Sequence, residues 1–158
     1  MTKESKQIFT ERITSANRTE LIVVLFDIWF SYLGDAYENL DNDDTETFKE
    51  NILKAEKVLI HLKSDLDFQF EMSKNLYALY DYCQRKLTAS IYNKSKENLD
   101  EIKKIMTSLK DAFFQISEKD SSKPIMQNAE KVVYGITYGK TDVNTNVAMT
   151  DVSRGFRA

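Results

Sequence analysis

The sequence predicts an all-α protein, an antiparallel up-down four-helix bundle with a short N-terminal arm and a mobile C-terminal tail. Two observations carry this expectation. Residues 18 to 118 contain no proline and one glycine, Gly34, so little there interrupts a helix; Pro124, Gly135, Gly139 and Gly155 all fall after residue 120. Within that span, apolar residues recur at alternating steps of three and four in stretches separated by short polar turns, the pattern of left-handed bundle packing. A chain of 158 residues is long enough for one buried core without disulfides or metals. The expected organisation is an arm or lid over 1–16, a bundle over 17–118, and a linker and tail over 119–158.

Residues 1 to 16 read as a polar arm carrying Ile8, Phe9 and Ile13. Asn17 reads as a helix N-cap, with Glu20 three residues on completing a capping box. The first long helix is expected over 18–40. Leu21, Val24, Leu25, Ile28, Tyr32 and Ala36 form one apolar stripe, and Ile22, Phe26, Trp29 and Leu33 form a second beside it. A helix apolar over so much of its circumference is either central in a core or waiting for a partner.

The turn Asp41-Asn42-Asp43-Asp44 places acids ahead of the next helix, where its dipole favours them. A calcium loop is excluded, because Glu46 stands where glycine is needed and the twelfth position is Ile52. The second helix, 45–66, carries Phe48, Ile52, Ala55, Leu59, Leu62 and Leu66. The third, 71–92, carries Met72, Leu76, Leu79, Cys83, Leu87 and Ile91. The fourth, 96–117, carries Leu99, Ile102, Met106, Leu109, Phe113 and Ile116. Each is about 30 Å long. Leu59, Leu76, Leu79, Cys83, Leu109 and Phe113 are expected in the core. After Ser117 a linker rich in helix breakers begins, and the helical period is lost.

Several function classes are disfavoured by composition. The net charge is −3 with the two signs interspersed, and no densely basic segment marks a nucleic-acid binder. The N-terminal residues lack the apolar core of a secretory signal, and Leu21 to Phe30 is too short to cross a bilayer. A cytoplasmic location without membrane insertion is therefore expected, and the lone Cys83 fits a reducing compartment. His61 is the single histidine, which rules out paired Glu-x-x-His di-iron chemistry; it reads as a partly exposed helix residue. No phosphate loop, serine elbow or Cys/His pairing is present, so no enzyme, cofactor or metal is expected.

The third and fourth helices carry a resemblance. Asn75-Leu76-Tyr77-Ala78-Leu79-Tyr80-Asp81-Tyr82, followed by Arg85-Lys86-Leu87, resembles the signature N-L-x-x-L-Y-D-Y-x-x-R-R-L of the flagellar secretion chaperone FliS family. Glu101-Ile102, Leu109 and Asp111-Ala112-Phe113 are similar to the end of its last helix, with Phe113 where tryptophan is usual. Thr14 to Asp27 resembles its opening, with Asn17, Arg18 and Phe26 in place of serine, proline and tyrosine. Ile52-Leu53-Lys54-Ala55 and Leu66-Asp67 are similar to its second helix. Phe68-Gln69-Phe70 departs from the Gly-Gly that many members carry before the third helix.

The resemblance implies a chaperone that binds the C-terminal segment of flagellin, prevents premature polymerisation and delivers it for flagellar type III export. The alternative is a non-catalytic adaptor or regulator of flagellar assembly, for example one binding an anti-sigma factor. The export gate is a further implied partner, and the chain is expected as a monomer or homodimer. Candidate flagellin contacts are Ile8, Phe9, Ile13, Tyr77, Tyr80, Asp81 and Tyr82. Ile8 and Phe9 are expected to dock on an apolar groove of the free bundle. Tyr77, Tyr80 and Tyr82 cannot all face one core, because successive helical residues turn by about 100°. Asp81 either positions a partner's backbone or pairs with Arg85 one turn on. In the tail, Tyr134 to Gly139 and Ser153 to Ala158 are aromatic-glycine islands, read as a short contact for a second partner or for the bundle itself.

Overall fold

The computed structural model describes residues 1–126 and is helical throughout its regular structure. Its helices are α1 (Lys3–Ser15), α2 (Arg18–Asp41), α3 (Thr45–Ser64), α4 (Glu71–Asn93) and α5 (Lys96–Ser117). The expectations for residues 129 to 158 lie outside the described residues.

The segment expected as an arm is itself a helix. Thr2 caps α1 by accepting the Ser5 N–H at 3.1 Å, with Glu4 in the first turn and Arg12 in the last. Its apolar residues are too few to show a helical period, so nothing in the pattern revealed it. Three of the four long helices, α2, α3 and α5, start at a side-chain cap. The Asn17 Oδ1 accepts the Glu20 N–H at 2.9 Å, and Glu20 Oε2 accepts the Asn17 N–H at 2.8 Å, the reciprocal pair of a capping box. Asp44 and Ser95 cap α3 and α5 more simply, each side chain accepting the backbone N–H three residues on. Helix α3 ends at Ser64, two residues earlier than expected. The tight α4–α5 corner passes through Lys94 at φ 51°, a left-handed turn made without glycine.

Asn17 also joins the two ends of the bundle, since its Nδ2 donates to the Asp120 carbonyl at 3.1 Å just past α5. Asn17 is buried. Asn17→Ala should therefore lower stability by about 2 kcal/mol, the upper end for a lost cap; urea denaturation checks this.

Helix α2 is central, which settles the ambiguity of its double apolar stripe: it packs on α1, α3 and α5. Its Phe26, Trp29, Leu33 and Ala36 meet the α3 stripe of Phe48, Ile52, Ala55, Leu59 and Leu62. Tyr80, Cys83 and Leu87 of α4 and Leu99, Ile102 and Met106 of α5 complete the core. The expected core placement holds for Leu59 and Cys83 and fails for Leu79, which is 37% exposed; Leu76, Leu109 and Phe113 are only half-buried. Neighbouring residues on a helix point about 100° apart. In α4 the Tyr80 ring, 6.4 Å from that of Phe26, takes the inward position and turns Leu79 outward. Among the described residues one buried side-chain polar group is left over, the Trp29 Nε1–H, which has no hydrogen-bond partner there.

Candidate helix-binding surface

Helices α4 and α5 run antiparallel and are tied at one end by polar contacts. Lys86 Nζ reaches Glu101 Oε2 at 2.8 Å and Asn98 Oδ1 at 3.3 Å, and the Tyr82 hydroxyl donates to Glu101. Those bonds hold the Glu101 carboxyl below its ordinary range, Lys86 first and Tyr82 second. One heptad before Lys86 lies Leu79, and one heptad after Asn98 lies Ile105, so both face the same seam. Met72, Leu76 and Leu79 line it from α4; Ile105, Leu109 and Ile116 line it from α5. Met72 is 68% exposed and Ile116 51%, whereas Leu76, Ile105 and Leu109 rest against the core. Along this seam Met72, Leu79 and Ile116 stay open to solvent, and this partly exposed apolar stripe is termed the trough. At its polar end is a hollow of about 380 Å³ lined by Tyr82, Arg85, Lys86, Ala89 and Asn98.

The α2–α5 seam is closed differently. Helix α1 folds back along α2, with the Met1 amine paired to Asp35 and Arg12 Nη2 2.7 Å from Asp27 Oδ2. Asp27 is shared, because Lys110 Nζ of α5 sits 2.5 Å from its other oxygen. Arg12 also lies over the Phe9 ring at 5.9 Å. A hollow of about 390 Å³ remains between the ends of α1 and α5, bordered by Arg12, Val23 and Phe114. Docking of Ile8 was expected and is not seen, since Ile8 is 56% exposed. Phe9 and Ile13 are half-buried. Adjacent helical residues cannot share one contact face, and charge rather than Ile8 anchors α1.

The three tyrosines separate. Tyr80 is 1% exposed and belongs to the core, so it is not a surface contact; burial pushes its phenol up. Tyr82 flanks the polar end of the trough. Tyr77 is exposed on the α3 side of α4, its ring tilted against Phe68 at 5.8 Å with Lys63 over its ring at 5.2 Å. Asp81 pairs within the chain, with Arg85 Nε at 3.4 Å and Lys63 Nζ at 3.5 Å. Sequence reasoning placed Met72, Leu79 and Ile116 in the core stripes and so missed the trough. The sequence signal present was the choice at 79 and 80, where the larger ring competes with leucine for the inward position.

No group of residues suited to holding a metal occurs among the described residues, and no described helix is long and apolar enough to cross a membrane. His61 is exposed. Burial pushes the Cys83 thiol up to about 12 from an ordinary value of 9.0. The fold keeps this proton longer than the unfolded chain does, so Cys83 costs stability as pH rises from about 9 toward 12. At pH 8, iodoacetamide should modify Cys83 only as fast as the bundle opens; mass spectrometry with and without urea checks this, and rapid native labelling would place the thiol at the surface.

A helical bundle that leaves an apolar seam open has the form of a chaperone for helical segments. The model of the family described as "Flagellar protein FliS" matches residues 1–120, and the chain belongs to this family of flagellar chaperones. It is 31% identical over 112 residues to the flagellar secretion chaperone FliS of Salmonella typhimurium (strain LT2), a match covering 69% of this chain and 83% of that one. It is 27% identical over 108 residues to the flagellar secretion chaperone FliS of Bacillus subtilis (strain 168), covering 68% and 81%.

Proposed function

We propose that this chain is a cytoplasmic chaperone that binds the C-terminal segment of a flagellin, blocks its premature polymerisation and hands it to the flagellar type III export apparatus. The observation that carries this is the open trough of α4 and α5. An amphipathic helix laid in it would cover Met72, Leu79 and Ile116 with its own apolar face. A segment that folds on binding pays an ordering cost, which extended contact offsets. Tyr82 stands at the trough's polar end and is the tyrosine best placed to meet the client. Residues 17–118 form the binding bundle in this reading. Residues 1–16 act as a lid through Phe9 and Ile13 on the α2–α5 seam, and 119–158 serve as linker and tail.

Calorimetry with a synthetic peptide of the flagellin C-terminal segment tests the reading. Saturable binding at one peptide per bundle is expected, with a negative heat-capacity change from apolar burial. Removing residues 1–15 should leave the bundle helical by circular dichroism and tighten the peptide several-fold, about 1 kcal/mol, if the client extends past the trough onto the α2–α5 seam that α1 covers. No heat at any peptide concentration would sink the flagellin assignment; unchanged affinity after truncation would sink the lid alone.

A further inference from the structure

The corner between α3 and α4 is a second surface, separate from the trough. It faces the α3 side of α4, where Tyr77 meets Phe68 and Lys63, whereas the trough faces α5. Phe68 is 53% exposed and its ring meets Tyr77; Phe70, 65% exposed, follows two residues on in the same turn. The turn that presents them is fixed by hydrogen bonds. Asp67 Oδ1 accepts the Gln69 N–H at 2.9 Å, the Asp67 carbonyl accepts the Ser73 hydroxyl at 2.6 Å, and it also accepts the Phe70 N–H at 3.2 Å. The rings are thus held out to solvent on a rigid turn, so little ordering cost is left for a partner to meet.

The charge around these rings is one-sided. Asp65, Asp67 and Glu71 are all exposed beside them. Of the nearby cations, Lys63 is occupied by Asp81 at 3.5 Å and Gln84 at 2.6 Å, which leaves Lys74 against three carboxylates. From this we infer that the α3–α4 corner is a docking knob for a protein partner's extended basic segment, one in which arginine or lysine side chains flank an apolar residue. The apolar residue packs on Phe68, Phe70 and Tyr77, and the cations meet Asp65, Asp67 and Glu71, with cation–π contact to the rings available as well.

The probe is a blocked pentapeptide of alternating arginine and leucine, titrated into isotopically labelled full-length protein. NMR should show saturable shifts confined to Phe68, Phe70 and Tyr77, with a Kd on the order of 1 mM or tighter. The variants Phe68→Ser with Phe70→Ser, and Asp65→Asn with Glu71→Gln, should each weaken the peptide about tenfold. Both pairs alter exposed side chains and leave Asp67 in place, so the fold survives, as circular dichroism will show. The flagellin C-terminal peptide should bind these variants as it binds the parent, which separates this inference from the proposed client site. Unmoved corner resonances, or equal shifts with the glutamate-leucine counterpart, would overturn the inference. So would a matching loss of the flagellin peptide, which would make the corner part of the client site. A parent dimer on sizing that becomes monomeric in Phe68→Ser with Phe70→Ser would also overturn it, by making a second copy the occupant.

Discussion

Phe26→Ala is expected to destabilise the bundle by about 3–5 kcal/mol, the range for emptying a fully buried aromatic site. Phe26 has no exposed surface, and its ring lies 6.4 Å from that of Tyr80 and 5.7 Å from that of Phe113. It stands where α2, α4 and α5 meet, so collapse around the lost ring would have to move three helices. Phe113→Ala removes a ring of the same size from a half-buried position, and about 1.5–2.5 kcal/mol is expected there. Urea denaturation of the two variants side by side checks the contrast. Equal losses would mean that Phe113 is as deeply packed as Phe26, and a Phe26→Ala loss under about 1 kcal/mol would mean that the core refills.

Leu79→Glu should weaken the flagellin peptide by about 100-fold while changing stability little. The wild-type leucine is 37% exposed in the free bundle, so a glutamate there keeps its water until a client arrives. On docking, the client would remove that water and leave a charge without a partner, beyond losing the leucine's own burial. Leu53→Glu is the control: Leu53 is 40% exposed on α3, away from the trough, and its replacement should leave the affinity as it was. Calorimetry on both variants decides. Equal losses, or none for Leu79→Glu, would place the client elsewhere.

The bundle was legible because its determinants are local. The Asn17–Glu20 capping box, the caps at Asp44 and Ser95 and the stripe from Phe48 to Leu62 each depend on residues within a few positions of one another. Helix α1 was not legible, since its placement depends on Arg12 meeting Asp27, fifteen positions away, and on Asp27 also holding Lys110. The trough was hidden for a related reason. A heptad pattern identifies which residues are apolar and cannot say whether a fifth element will cover them; Leu79 read as core, and only the arrangement of α4 against α5 leaves it open. Among the candidate contacts, Tyr82 is at the trough, Tyr77 is at the corner and Tyr80 is inside. Sequence alone bounded this to a division among faces, because rotation of α4 is set by packing against Phe26.

The buried indole of Trp29 gives the molecule its own optical gauge. It is the single tryptophan, fully enclosed, with the Phe30 ring edge-on at 5.1 Å and no acceptor for its N–H among the described residues. An indole enclosed among apolar side chains emits toward the blue, and contact with solvent moves the emission to longer wavelength. Loosening of the α2 neighbourhood, whether by heat, denaturant or displacement of α1, would thus be readable as colour before the helices themselves unwind.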